Sequence, residues 1–358
     1  MMAETALRRE NAAIDPAATL MYREAAEAGA AVARFLDANR DAIDRIGARL
    51  RAAPPAVVVT CARGSSAHAA AYGKFAIETM TGVVTAPAAL SIASIYPART
   101  APAAARGNRL CIAISQSGRS PDLIAAVEAQ RAEGAYVVAL VNVADSPLAG
   151  IADEVLALNA GPEVSVAATK SYLVSLVGLA AIVAAWTQDA PLGEAIDRLP
   201  ALLPRAFALD WHAALPTLTD ATSLFVIGRG YGYGAALEVA LKLKETSGLH
   251  AECFSAAEVK HGPMALVGRG FPILALAGSD AAGDDVRETA ALFEARGARV
   301  CLADTRGGAG TLPALADHPM IEPILMVESF YALAARLAVA RGHDPDSPPY
   351  LNKVTRTV

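Results

Sequence analysis

The sequence predicts an α/β fold of parallel sheets wrapped on both faces by helices, present twice in tandem. Three observations carry this. Short apolar runs alternate with helical stretches, a Ser115-Gln116-Ser117-Gly118 turn joins one run to the next helix, and the pattern of the first half returns in the second. Residues 17–50 are helical in pattern, Ala-rich with charges on one side, and Pro54-Pro55 ends this arm. Residues 57–60 (Val-Val-Val-Thr) read as a strand, Arg63-Gly64-Ser65-Ser66 as a small-residue loop, and 67–80 as a helix. Further apolar runs at 83–86 and 110–114 continue the sheet. The second of these leads into the Ser-Gln-Ser-Gly turn, where Ser120 suits an N-cap, Pro121 the first helical position and Gly134 the stop. Residues 136–141 form another buried strand.

From 188 to 223 the pattern turns helical with several prolines, a connector rather than a sheet segment. Then 224–227 followed by Gly228-Arg229-Gly230 echoes the first strand and loop. Residues 272–277, a helix, and 298–302 echo the unit around Ser115. The expected organisation is an N-terminal helical arm (1–45), a first copy (46–200), a second copy (201–340) and a C-terminal tail (341–358) stiffened by Pro345, Pro348 and Pro349.

Ligands of such sheets sit beyond the carboxyl ends of the strands. Ser66 and Ser115 to Ser117 fall at that edge, where free backbone N–H groups and a helix dipole favour an anion. Hydroxyl donors with no carboxylate favour a phosphate ester there; a serine-rich turn is the plainer alternative. The second copy has Gly278-Ser279-Asp280 at the matching place, and Asp280 would repel phosphate, so one phosphate site per chain is expected. Glu238, Lys242 and Glu245 share a helix face at spacings of four and three, which by itself reads best as a solvated, ion-paired face. His261, before Gly262-Pro263, lies off any apolar stripe and by itself reads as a solvated loop histidine.

The 358 residues are 54% hydrophobic with a formal net charge of -5 and no basic cluster, which argues against nucleic-acid binding. No signal core is visible at the start, and the apolar run 172–186 falls short of the roughly 20 residues of a membrane span. A cytoplasmic protein without membrane contact is expected. Cys61, Cys111, Cys253 and Cys301 are scattered with no metal-ligand spacing, so they read as reduced thiols and no metal is expected.

Taken together, Gly64-Ser65-Ser66, Ser115 to Gly118, Val166-Ala167-Ala168-Thr169-Lys170, Gly228-Arg229-Gly230, Glu238 through Glu245, Lys260-His261-Gly262-Pro263 and Leu351-Asn352-Lys353 resemble the tandem sugar-isomerase-domain (SIS) family of phosphosugar enzymes. The likeness is to the isomerase half of glutamine–fructose-6-phosphate aminotransferases and to isomerase-type deaminases. It implies that Ser66, Ser115, Gln116, Ser117 and Ser120 hold the phosphate of a hexose 6-phosphate, with Val166 also at the substrate. Glu245 would move the proton between C1 and C2, and His261, reaching in from a neighbouring subunit of a homodimer, would assist ring opening. Lys353 would contact the open-chain sugar, and Lys242 would support the developing oxyanion.

No metal or organic cofactor is implied. The glutaminase half and its N-terminal cysteine are missing, so glutamine hydrolysis is not expected. Arg119 stands where an acidic residue is usual, and the tail resembles that of the deaminases. The resemblance therefore implies a glucosamine-6-phosphate deaminase. The rivals are an isomerase or deglycase of galactosamine or fructosamine phosphate, and a non-catalytic phosphosugar sensor.

Overall fold

The computed structural model describes residues 14–96 and 107–353. Its strands are β1 (Val57–Cys61), β2 (Thr85–Pro87), β3 (Arg109–Ser115), β4 (Tyr136–Val141), β5 (Glu154–Ala157), β6 (Ser223–Gly228), β7 (His250–Ser255), β8 (Pro272–Ala277), β9 (Arg299–Asp304) and β10 (Leu312–Pro313). They form two five-stranded sheets, ordered β2-β1-β3-β4-β5 and β10-β9-β8-β6-β7, with every pairing parallel. Read from β7, the second order repeats the first, so β3 and β8 hold equivalent central places. The tandem duplication seen in the sequence is therefore a duplication of topology.

Helices α1 (Leu20–Ala26) and α2 (Ala28–Ala52) precede the first sheet. Among and after its strands come α3 (Gly64–Thr81), α4 (Leu90–Ser94), α5 (Pro121–Ala132), α6 (Pro147–Ile151) and α7 (Lys170–Thr187). Next, α8 (Ala190–Phe207) and α9 (Leu215–Leu218) lead to the second sheet, flanked by α10 (Gly232–Ser247), α11 (Ala281–Ala295) and α12 (Glu322–Ala340). The expected 45/46 boundary falls inside α2, which runs on to Ala52 and packs along α7. At Gly47 the two backbones approach so closely that a Cβ would lie 2.7 Å from Ala185. The start of α3 also differs from the sequence reading. Gly64, Ser65 and Ser66 form its first turn rather than a loop, entered through an extended Arg63 and a left-handed Gly64 at φ +53°. Glycine and serine suit a helix start as well as a loop, and the string alone does not separate the two.

The apolar run at 172–186 is α7, buried along nearly its whole length. Both α7 and α12 are apolar and long enough to cross a membrane, yet 83% of each apolar stretch is buried within the protein. These helices and α2, α3, α8 and α10 form the continuous core between the two sheets.

Glu328 is out of character in that core. It is fully buried in α12, neither carboxylate oxygen has a hydrogen-bond partner, and burial pushes its carboxyl well above the usual range. Below the unfolded carboxyl value both states are protonated and no penalty arises. Above it only the unfolded chain ionises, so stability falls as pH rises toward the folded value. Glu328→Met is expected to stabilise the protein by about 1–3 kcal/mol, with a gap over wild type that widens from mildly acidic to mildly alkaline pH. Urea unfolding at the two ends of that range checks this, and an equal gap at both would show that Glu328 is ionised in the fold.

Candidate active site

The N-termini of α3 and α5 converge beyond the carboxyl ends of β1 and β3. Between them lies a cleft of about 370 Å³, lined by Ser65 and Ser66 from α3, by Ser115, Gln116, Ser117 and Ser120 from the β3–α5 turn, and by Ala168 and Lys353. The turn is tightly built. The Gly118 N–H donates to Ser115 Oγ at 2.9 Å, and Gly118 sits at φ +63°, where a Cβ would fall 2.2 Å from Ser146 Oγ. Only glycine fits there. Ser120 holds the N-cap place, but its hydroxyl makes no capping bond and so stays available to a ligand. Two helix N-termini and these hydroxyls present donors toward one volume, the arrangement that binds phosphate.

Arg63, which the sequence reading left out of the site, also lines this cleft. Its guanidinium is held by buried Asp122, at 2.9 Å from Nε and 2.6 Å from Nη2. Its neighbours Gly64-Ser65-Ser66 were the only sequence signal.

Lys353 reaches the cleft from the tail. Its Nζ donates to the Ser165 carbonyl at 2.6 Å and lies 3.6 Å from Glu163 Oε2. Glu163 is buried and accepts from the Thr169 and Ser171 N–H groups and from Ser171 Oγ at 2.9, 3.2 and 2.6 Å. Upstream, the Asp346 carboxylate accepts from the Leu20 and Met21 N–H groups at 2.7 Å each, pinning the tail to the start of α1. Val166 lines no part of the cleft; its N–H donates to the Asp346 carbonyl at 3.4 Å, next to the tail. Tail residues beyond Lys353 lie outside the described residues.

The charged face of α10 is not solvated, which corrects the reading of Glu238, Lys242 and Glu245 taken by themselves. Glu238 and Lys242 are buried and Glu245 is half-buried. Lys242 Nζ donates to Glu245 Oε2 and lies 3.4 Å from Glu238 Oε1. Glu238 Oε2 lies 3.0 Å from His68 Nδ1, and its carboxylate also bonds the Ser65 hydroxyl. Burial opposes both charges, yet the Lys242 ammonium holds Glu238 below the usual carboxylate range. Likewise, against burial, Glu238 and Glu245 hold Lys242 above the usual lysine value. Spacing alone showed the shared face but not its direction. Leu237 and Leu241 turn out to be the half-exposed residues while the ions face inward. Neither Lys242 nor Glu245 lines the cleft; Ser65 joins their array to it. His261 ends a one-turn helix, Glu258–His261, and is exposed.

The equivalent turn after β8 carries its own anion. Glu322 Oε2 accepts the Ser279 N–H at 2.8 Å, Oε1 accepts from Asp317 N–H at 3.1 Å, and Asp280 caps α11 through the Gly283 N–H at 3.0 Å. A carboxylate from α12 thus takes the Ser279 N–H of this turn.

Fold and cleft together define a duplicated, doubly wound α/β protein with a serine-lined cleft at two helix N-termini of its first copy. The SIS domain is matched over residues 56–185 and 217–341, and the chain belongs to the SIS-domain family. It is 35% identical over 311 residues to the glutamine–fructose-6-phosphate aminotransferase [isomerizing] of Aeropyrum pernix, covering 81% of this chain and 49% of that protein. The chain spans about half the length of the curated relatives it matches. A candidate phosphosugar isomerase from Silicibacter pomeroyi has a solved structure with TM-score 0.85 and 40% identity, covering 92% of this chain and all of that one. The C-terminal domain of glucosamine-fructose-6-phosphate aminotransferase from Francisella tularensis superposes at TM-score 0.80 with 25% identity, covering 92% and 98%.

Proposed function

We propose that the chain is an isomerase-type deaminase of hexosamine 6-phosphate, converting glucosamine 6-phosphate and water to fructose 6-phosphate and ammonia. The observation that carries this is the cleft in which two helix N-termini, five serine hydroxyls of the first copy and the Lys353 ammonium meet. The identity to an isomerizing aminotransferase supports an amino-sugar phosphate as substrate. The phosphate would be held by Ser66, Ser115, Gln116, Ser117 and Ser120 beside the Arg63 guanidinium. After ring opening, Glu245 would take the C2 proton and return it at C1, with Lys242 and Lys353 stabilising the enolamine oxygen. The resulting C2 imine hydrolyses to the ketose and ammonia, which balances the reaction. His261 is exposed and lines no wall of its own cleft, which fits ring opening by a histidine from the second subunit of a homodimer.

The test mixes the purified protein with glucosamine 6-phosphate, without glutamine, and follows ammonia and fructose 6-phosphate. Equal release of both is expected. Ser117→Ala should raise KM by roughly ten- to a hundredfold, the loss of one charge-assisted hydrogen bond of about 1.5–3 kcal/mol, with a smaller change in kcat. Galactosamine 6-phosphate and a fructosamine phosphate run beside it. Turnover of only one of those would reassign the substrate, and binding of all without turnover would make the chain a phosphosugar sensor.

A further inference from the structure

His68 lies one turn into α3, past the two serines that line the cleft, and its Nδ1 sits 3.0 Å from Glu238 Oε2. Its side chain is one-fifth exposed, whereas Glu238 is fully buried. Glu238 is thereby held from three helices at once: Ser65 and His68 on α3, Lys242 on α10, and the Tyr331 hydroxyl of α12 at 3.4 Å from Oε1. Beyond Lys242 the array ends at Glu245. One lysine is therefore shared by two carboxylates, one of which also has a histidine and the other of which does not.

The charge balance of this buried array depends on that histidine. With a neutral imidazole, Lys242 is the one full positive charge paired with Glu238 and Glu245 among the described residues. With an imidazolium, Glu238 is balanced from the α3 side and the ammonium is left to Glu245. The other titratable groups around the junction are buried, and Glu328 of α12, whose charge reaches Tyr331, is pushed well above the usual carboxyl range by burial and faces the array as a neutral acid. Tyr72 on α3, Tyr172 on α7 and Tyr331 on α12 are raised by burial and remain neutral hydroxyls. Lys242 is held protonated and Glu238 ionised. Glu163, whose charge also reaches Lys242, accepts from the N–H groups at the start of α7. An imidazole is the side chain whose ordinary titration falls between about pH 5 and 8.

We propose that His68 is a positioning residue for the proton-transfer step, acting through Glu238 and Lys242 to set how strongly Glu245 is held as a bare carboxylate. Protonation of His68 frees Lys242 to pair fully with Glu245 and weakens it as a base. Deprotonation draws the ammonium toward Glu238 and strengthens it. The helix that opens the phosphate cleft thus also governs the base on α10. The inference rests on the proposed function, because it assigns Glu245 the C2 proton.

The experiment follows deuterium entry at C2 of glucosamine 6-phosphate from heavy water, across pH 5 to 9, for wild type, His68→Asn and His212→Asn. His212 is an exposed histidine bonded to Asp210 between α8 and α9, away from the cleft and the array. Asn keeps a neutral donor toward Glu238 at every pH. Wild type is expected to lose about tenfold or more in exchange rate between pH 8 and 5, and His68→Asn about threefold or less, with KM unchanged because His68 lines no part of the cleft. His212→Asn should keep the acid limb. His68→Gln gives the same reading should the Asn variant fail to fold. An acid limb that persists in His68→Asn, one that vanishes in His212→Asn, its absence from wild type, or a uniform loss of rate at all pH values would each overturn the proposal while leaving the function intact. No exchange by wild type with any of the hexosamine phosphates would overturn the functional reading, and this inference with it.

Discussion

Glutamine in place of Glu245 is expected to slow C2 proton exchange by about 10²–10⁴-fold, the usual contribution of a positioned general base. Sugar-phosphate binding should change little. Glu245 lines no part of the cleft in which the phosphate would sit, and Gln preserves the shape of the end of α10 and an oxygen to accept from Lys242 Nζ. Deuterium incorporation into recovered sugar phosphate measures the loss, and the dissociation constant for a phosphosugar measures binding. Wild-type exchange in the variant would reduce Glu245 to an ion-pair partner of Lys242, the role its spacing on the helix suggests in isolation.

Lys242→Met should carry a large stability cost. The ammonium sits between Glu238 and Glu245 at 1% side-chain exposure, and its removal leaves a fully buried carboxylate facing only His68, Ser65 and Tyr331. Breaking a buried pair from one side costs about 3–5 kcal/mol. The pH dependence identifies the cause. Glu238 is held below its unfolded value, so in wild type it contributes stability above the ordinary carboxylate range and loses it as pH falls through the folded value. Without Lys242 burial is opposed by less, Glu238 takes up a proton at higher pH, and the deficit of the variant shrinks between pH 7 and pH 5. Urea unfolding at those two values gives the result, and a cost under about 1 kcal/mol at pH 7 would show that the array is not coupled in this way.

Periodicity and punctuation made most of the fold legible. Residues 136–141 and 272–277 coincide with β4 and β8, because a central parallel strand is a bounded apolar run and little else in the chain resembles one. The turn at Ser115 and the start of α5 were equally readable, since serine, proline and glycine there each have one preferred backbone role. Direction was not legible. The same spacing that put Glu238, Lys242 and Glu245 on one face left open whether that face met water or the core, and the polar character of the residues pointed outward. Contacts between distant stretches were also hidden. Nothing local marks Glu163 as a partner of Lys353, or Asp346 as the group that joins the tail to α1, because each pairing exists only after both sheets have formed. The expectation of one phosphate site, argued from Asp280, missed Glu322, which comes from a helix some 40 residues downstream and accepts from the turn after β8.

That bond has a consequence for how a duplicated gene product divides its labour. By taking a carboxylate from its own α12, the second copy behaves as though its ligand were encoded in the chain. Its carboxylate joins the turn after β8 to the Asp317 N–H ahead of α12. In the first copy the matching turn instead faces the cleft, beside Ser66 and Lys353. The two halves of a pseudo-symmetric molecule thus differ in what their turns meet, and the self-bonded half also carries α10 and its buried ions.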